Sequence, residues 1–69
     1  MATTKIIELI GASPNSWEEA AQNALAEAGE TVKGIKGIHA IDFTAVVKDN
    51  KIVEYRTNIK IAFIVETDR

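Results

Sequence analysis

The spacing of apolar and polar residues changes twice along this 69-residue chain, and each change predicts a new element of secondary structure. Residues 5–10 (KIIELI) are rich in β-branched side chains and too few for a stable helix, so they predict a strand. Side chains alternate across a strand, so Ile6 and Ile7 are expected on opposite faces. The glycine, proline and serines of residues 11–16 predict the end of this strand.

A helix is predicted between this break and Gly34, a residue type that often terminates helices. Two start signals compete. In one, Ser13 caps the helix and Pro14 is its first residue. In the other, Ser16 caps it and Glu19 closes a capping box. Both starts bury the same apolar stripe, whose members recur at helical spacing: Trp17, Ala21, Ala24, Leu25, Ala28 and Val32.

The rest of the chain predicts a β-hairpin. Residues 38–47 form its first strand and residues 52–66 its second, and both are rich in β-branched residues. Residues 48–51 form the turn between them, where Asp49 and Asn50 both tolerate positive φ.

The second hairpin strand is too long for one helix to cover. Residues 52–66 reach roughly 50 Å in extended conformation. A helix of about 17 residues is only about 26 Å long, and it shields one face of a sheet. The chain is also small and has no cysteine, so no disulfide can stabilise it. Apolar surface is therefore expected to remain for partner subunits.

Composition, charge and the absence of motifs disfavour several classes of function. The chain is expected to be a single domain with loose ends at residues 1–4 and 67–69. A net charge of −2 disfavours nucleic acid. No export signal or membrane-spanning run is evident, so a cytoplasmic protein that does not bind membranes is expected. No catalytic motif or nucleophile–base pair is evident either, because capping explains Ser13 and Ser16, so a non-enzymatic protein is expected.

Few side chains are candidates for binding a ligand. His39, the single histidine, is interpreted as a polar residue at a strand start or as a ligand contact. Trp17 and Tyr55 are interpreted as packing residues rather than stacking platforms. A polar row on the last strand, with possible neighbours on strand 38–47, is either a solvated face with cross-strand ion pairs or a ligand site at a subunit junction. The row and its neighbours are Arg56, Asn58, Lys60, Asp42 and Thr44.

Three segments resemble the dodecin family over nearly the whole chain. They are IIELIGASPNSWEEA at 6–20, the A-x-x-x-A-x-x-T-V pattern at 24–32, and EYRTNIKIAF at 54–63. The resemblance implies an α+β protomer of β-α-β-β order, with a three-stranded antiparallel sheet partly wrapped around one helix. It further implies that twelve copies form a hollow shell that stores a small ligand and catalyses no reaction.

The resemblance also implies candidate ligand residues. In flavin-binding dodecins, flavins such as FMN or riboflavin stack between tryptophans at a two-fold junction and contact a glutamine on the long strand. The tryptophan position falls on Gly37, or on His39 in a variant branch, and the glutamine position falls on Arg56. Usual flavin stacking is therefore not expected, and these three residues are candidates for a differently posed ligand.

The turn SPNSWEE and the pair Tyr55-Arg56 resemble a second branch, the calcium dodecins. For this branch the candidate calcium ligands are Asp42 and Glu54, taken from the available acid oxygens without a calcium-specific spacing. The expected function is thus a dodecameric binding shell for a flavin-like ligand or calcium. The alternative is a purely structural or interaction scaffold that binds nothing small.

Overall fold

Four elements follow one another in the order β-α-β-β that the sequence predicts. The structure is a computed structural model that describes the backbone of residues 2–66 and the side chains of residues 3–65. The elements are β1 (Ala2–Ser13), α1 (Trp17–Ala28), β2 (Ile35–Lys48) and β3 (Lys51–Glu66). One antiparallel sheet forms in the order β1-β3-β2, with α1 on one of its faces. The predicted α+β class is confirmed.

The β2–β3 hairpin turns where the sequence predicts. Asp49 and Asn50 have φ values of 53° and 61°. Two consecutive positive φ values characterise the two-residue turn whose twist matches that of the flanking strands, and both residue types tolerate this conformation. The turn places β3 beside β2, and β1 then pairs with the other edge of β3.

Strand β1 is longer than predicted at both ends. Residues 2–4 pair with residues 64–66 of β3, so the expectation of a loose end is wrong for them, while Met1 and residues 67–69 lie outside the described part. Gly11 does not break the strand, because it pairs with Thr57. A neighbouring strand satisfies backbone donors and acceptors whatever the side chains are, so pairing outweighs the local preference of these residues.

Helix α1 begins at the second of the two predicted start signals. The Ser16 hydroxyl accepts a hydrogen bond from the backbone N–H of Glu19 at 3.0 Å, which makes Ser16 the N-cap. The Glu19 carboxylate does not complete the capping box. It accepts instead from the Ser13 hydroxyl at 3.0 Å and the Asn15 amide at 2.7 Å, and so braces the loop between β1 and α1.

The helix ends earlier than predicted, at Ala28 rather than near Gly34. Gly29 follows as the C-cap, and its N–H donates to the carbonyl oxygen of Leu25 at 2.9 Å. One further turn closes when the N–H of Val32 bonds to the Ala28 carbonyl. Glycine is about 1 kcal/mol less favourable than alanine inside a helix, which accounts for the early end. Gly34, with φ 78°, lies in the connection to β2.

The buried face of α1 consists of alanines and is rotated from the predicted stripe. The helix buries Ala20, Ala24 and Ala28, and the last two pack with Ile59 and Ile61 of β3. Trp17, which was expected on this stripe, is 37% exposed, and Val32 lies beyond the helix. Small side chains allow the helix axis to approach the sheet closely, and a tryptophan in their place would hold the two apart.

The helix leaves much of the sheet uncovered, as predicted. The 12 residues of α1 span about 18 Å, whereas the 16 residues of β3 span about 53 Å. The chain exposes 5156 Å², about 900 Å² more than the roughly 4250 Å² expected for a compact 7.5 kDa monomer. Its radius of gyration is 14.4 Å, against about 11 Å for a compact chain of this length.

Candidate binding face

The polar candidate residues lie on the sheet face opposite α1, which we call the outer face. Thr57, Ile59 and Ile61 of β3 are buried toward the helix, so the alternating residues of β3 face outward. The outer face also includes their partners on β1 and β2. Its polar members include Glu8 on β1, His39, Asp42 and Thr44 on β2, and Glu54, Arg56, Asn58 and Lys60 on β3.

The predicted neighbours of the polar row are confirmed by the register. Asp42 pairs with Asn58, and Thr44 pairs with Arg56. The predicted cross-strand ion pairs are not formed. Among the side chains of residues 3–65 the one ion pair runs along β3, from Arg56 Nε to Glu54 Oε2 at 2.6 Å, and both side chains are substantially exposed. Such a pair contributes about 0–1 kcal/mol to stability.

Gly37 and His39 lie together in a shallow depression of the outer face. It has a volume of about 270 Å³ and is lined by Ile6, Gly37, Ile38, His39, Lys60 and Ala62. A Cβ atom on Gly37 would meet nothing within 4 Å, so there is room for a ligand or a larger side chain here. The surface is mostly apolar and Lys60 is the cationic residue of its lining, which suits a flat apolar group bearing a negative charge.

Arg56 lies away from that depression within one protomer. It pairs with Ala12 on β1 and Thr44 on β2, four positions along β3 from Lys60. Four positions correspond to about 13 Å. The three ligand-binding candidates therefore divide into the pair Gly37 and His39 and a separate Arg56, and a single chain does not bring them into one site.

The two candidate calcium ligands are also apart. Asp42 lies opposite Asn58, and Glu54 lies opposite Val46, again four positions and about 13 Å along β3. They do not share an ion within one protomer. Within the described part of the chain, no three side chains of aspartate, glutamate, histidine or cysteine are grouped to hold a metal.

The register instead places Asn58 between Glu8 and Asp42. Its amide Nδ2 donates to the Glu8 carboxylate at 2.9 Å, and Asp42 is its cross-strand partner on β2. The Asn58 Oδ1 atom is shielded from solvent and has no hydrogen-bond partner. Sequence reasoning named Asp42 and Asn58 as possible neighbours, and only the register shows that Asn58 lies between Asp42 and Glu8.

A cluster of aromatic side chains lies on the helix-facing side of the hairpin. Trp17 contacts Tyr55 and Phe43 edge-on, with ring centroids 4.8 and 6.2 Å away. The indole N–H of Trp17 donates to the Thr44 carbonyl at 2.8 Å, and the Thr57 hydroxyl donates to the Trp17 carbonyl at 2.8 Å. Trp17 and Tyr55 therefore pack against each other, although Trp17 lies off the predicted buried stripe.

The serines have structural roles. Ser16 caps α1, and the buried Ser13 hydroxyl accepts from the Asn15 N–H at 2.9 Å while it donates to Glu19. Both hydroxyl groups are therefore engaged in the loop that leads into the helix.

In residues 2–66 no helix is long and apolar enough to cross a membrane.

Fold and outer face together define a small β-α-β-β protomer with an incompletely covered sheet and a polar row across it. The family model described as Dodecin matches residues 3–66, which is nearly the whole chain. The chain therefore belongs to the dodecin family, and its fold is that of a dodecin protomer.

The relatives place the chain near one branch of this family. It is 33% identical over 63 residues to the calcium dodecin of Mycobacterium tuberculosis, covering 91% of this chain and 89% of the relative. The crystal structure of that calcium-chelating protein, described as having a novel calcium-binding site, matches with a TM-score of 0.82 and 30% identity, covering 97% of this chain and 96% of the other.

Solved dodecins from other organisms also match. A mutant of the Thermus thermophilus dodecin has a TM-score of 0.92 and 25% identity, covering 97% of this chain and all of the other. The Streptomyces coelicolor dodecin has a TM-score of 0.93, covering 97% and 96% of the two chains, and at 21% identity it bears on the fold alone.

Proposed function

We propose that this chain is the non-catalytic subunit of a homododecameric shell that binds a small ligand or ion where subunits meet. The observation that carries the proposal is the uncovered sheet. The chain exposes about 900 Å² more than a compact monomer of its mass. A standard protein–protein interface buries about 800 Å² on each partner, so the excess is of the size that assembly removes. Membership of the dodecin family supports the same assembly.

Calcium is the ligand we propose first. The 33% identical relative is a calcium dodecin. Calcium binds six to eight oxygen atoms. Asn58 Oδ1 has no hydrogen-bond partner, and Asn58 lies between Glu8, whose carboxylate it contacts, and Asp42, its cross-strand partner. Lys60 lies opposite Glu8, and its positive charge partly offsets the negative charge of the carboxylates. Three side chains do not supply all the oxygen atoms that calcium binds, so the remaining ones would come from water or from a second subunit.

A flavin-like ligand is the second candidate, because the depression at Gly37 and His39 lies where the resemblance puts the flavin-stacking residue. Its apolar lining and the Lys60 ammonium group favour a flat anionic molecule. It has no aromatic platform. Each missing ring removes about 1–3 kcal/mol of stacking, by analogy with nucleobases on aromatic side chains, so flavin binding is expected to be weak.

Native mass spectrometry of the protein purified from its own host tests the assembly and the ligand together. The expected result is a particle of twelve times the chain mass of 7.5 kDa with retained ligand mass. A folded particle of one chain mass would refute the proposal. A bare twelve-mer would favour the scaffold alternative.

Thermal unfolding distinguishes the ligands. Calcium at one hundred times its Kd is expected to stabilise the assembly by about 2.7 kcal/mol, and a chelator is expected to reverse the shift. A melting curve that responds to neither calcium nor chelator would exclude calcium. Riboflavin that loses its fluorescence on mixing would favour the flavin-like ligand.

A further inference from the structure

Two candidate sites on the outer face meet at one residue, Lys60. One is the depression around Gly37, and Lys60 is part of its lining. The other is the set of Glu8, Asp42 and Asn58, which we call the Asn58 group. Lys60 is the cross-strand partner of Glu8, and no other lining residue of the depression pairs with a member of this group.

Lys60 lies within electrostatic range of both sites. Residues directly opposite each other in an antiparallel pair have Cβ atoms about 5 Å apart, which brings Lys60 close to Glu8. Asn58 lies two positions from Lys60 on the same face of β3, about 7 Å along the strand. The Debye length at physiological ionic strength is about 8 Å, so salt does not remove the interaction between charges this close.

The charge of Lys60 is not taken up by an ion pair. Among the side chains of residues 3–65, the ion pair that forms joins Arg56 and Glu54. The Glu8 carboxylate accepts from the Asn58 amide at 2.9 Å, and Lys60 is exposed. An anion in the depression would therefore meet an ammonium group that no carboxylate of residues 3–65 contacts.

We propose that Lys60 couples the two sites, so that calcium at the Asn58 group and a flat anionic ligand in the depression each raise the affinity for the other. The coupling rests on the proposed function and adds that the two candidate ligands bind together rather than as alternatives. Without an anion in the depression, the ammonium group repels calcium. A bound anion offsets that charge, and linkage makes the effect equal in both directions.

Removal of the Lys60 charge tests the repulsion. Lys60→Gln is expected to bind calcium about fivefold more tightly than the wild type in calorimetric titration, at the low end of the usual range of coupling because the groups are close to solvent. Lys60→Arg keeps the charge and is expected to retain wild-type affinity. Lys48→Gln, at the hairpin end about 30 Å along the sheet, loses the same charge and is expected to leave the calcium affinity unchanged.

Flavin mononucleotide (FMN) tests the coupling in the wild-type protein, because its phosphate supplies the negative charge. At millimolar FMN the calcium affinity is expected to rise about fivefold, after correction for calcium bound by free FMN. Riboflavin, which has the same ring system without the phosphate, is expected to have no such effect. Lys60→Gln is expected to abolish the response to FMN.

The outcomes separate the coupling from the proposed function. Wild-type calcium affinity in Lys60→Gln, or a calcium affinity that millimolar FMN leaves unchanged, overturns the coupling while calcium binding itself stands. A wild-type protein that binds no calcium overturns both. If native mass spectrometry shows that Lys60→Gln does not assemble, the FMN titration of the wild-type protein decides the coupling by itself.

Discussion

Gly11 of β1 lies directly against the main chain of Ala20 in α1. A Cβ atom on Gly11 would be 1.9 Å from the Ala20 carbonyl oxygen and 2.8 Å from the Ala24 Cβ. The glycine is thus required by a close approach of helix and strand. The same approach explains why the buried face of the helix consists of alanines.

Substitution of Gly11 by alanine is expected to destabilise the protein. The added methyl group would overlap backbone, which cannot move as a flexible side chain can, so α1 must shift from β1. We expect Gly11→Ala to lower the free energy of unfolding by about 1–3 kcal/mol, measured by urea denaturation. Gly37→Ala is the matched control, because a Cβ there would meet nothing within 4 Å. Equal midpoints for the two variants would contradict this account.

Removal of the helix cap is expected to have a smaller effect. Ser16→Ala deletes the oxygen that accepts the Glu19 N–H, and we expect a loss of about 1 kcal/mol in thermal or urea unfolding. Ser16→Asp keeps an acceptor and adds a negative charge at the positive end of the helix dipole, so it is expected to retain wild-type stability. Destabilisation of the aspartate variant to the level of the alanine variant would show that the cap is not the cause.

An aromatic ring at Gly37 is expected to introduce flavin stacking. Gly37 lines the depression and a Cβ atom there would meet nothing within 4 Å, so a side chain can leave the backbone at this position without overlap. One stacked ring contributes about 1–3 kcal/mol, which corresponds to about 5- to 150-fold in affinity. Riboflavin fluorescence titration measures the gain, and Gly37→Leu controls for added apolar surface. If both variants gain equally, the effect is not stacking.

Removal of the Asp42 charge is expected to reduce calcium binding. Asp42→Asn keeps the shape of the side chain but removes the charge next to Asn58, so the calcium-dependent rise in melting temperature should shrink or vanish. Asp49→Asn at the hairpin turn is the control, because asparagine tolerates the positive φ at that position. A calcium response in Asp42→Asn equal to that of the wild type would remove Asp42 from the site.

Much of the fold was predictable because its signals are local. Ser16 and Glu19 lie three residues apart and mark the helix start, and Asp49 and Asn50 mark the hairpin turn. The polar row of Arg56, Asn58 and Lys60 lies on one face of β3, as predicted, opposite the buried Thr57, Ile59 and Ile61. Each of these signals acts between residues a few positions apart, so no knowledge of the folded structure is needed to interpret it.

The incorrect predictions concern features of the fold that depend on a segment far away in the sequence. Gly11 looks like a strand break, but it continues the strand because Thr57 pairs with it and Ala20 needs its space. The predicted helix stripe includes Trp17 because this residue recurs at helical spacing with the apolar residues that follow it. The structure buries Ala20 there instead, since close packing against the sheet requires small residues.

The candidate site was predictable by residue type but not by arrangement. Asp42 was identified, yet its partner in the sheet is Asn58 and the expected companion Glu54 is about 13 Å away. Likewise, His39 and Arg56 do not share a site within one chain. Irregularities in the β2–β3 register, such as the one between Ala40 and Asp42, shift every later pair, and no local pattern reveals them.

The sequence by itself determined the kinds of element, their order and the excess of apolar surface, because composition and short-range spacing carry that information. Only the tertiary structure decided the length of β1, the end of α1, the central place of β3 and the neighbours of Asn58. These features depend on backbone pairing and close packing between segments far apart in the chain. The energies of these contacts depend on which surfaces meet in the folded chain, so they cannot be inferred from the conformational preferences of individual residues.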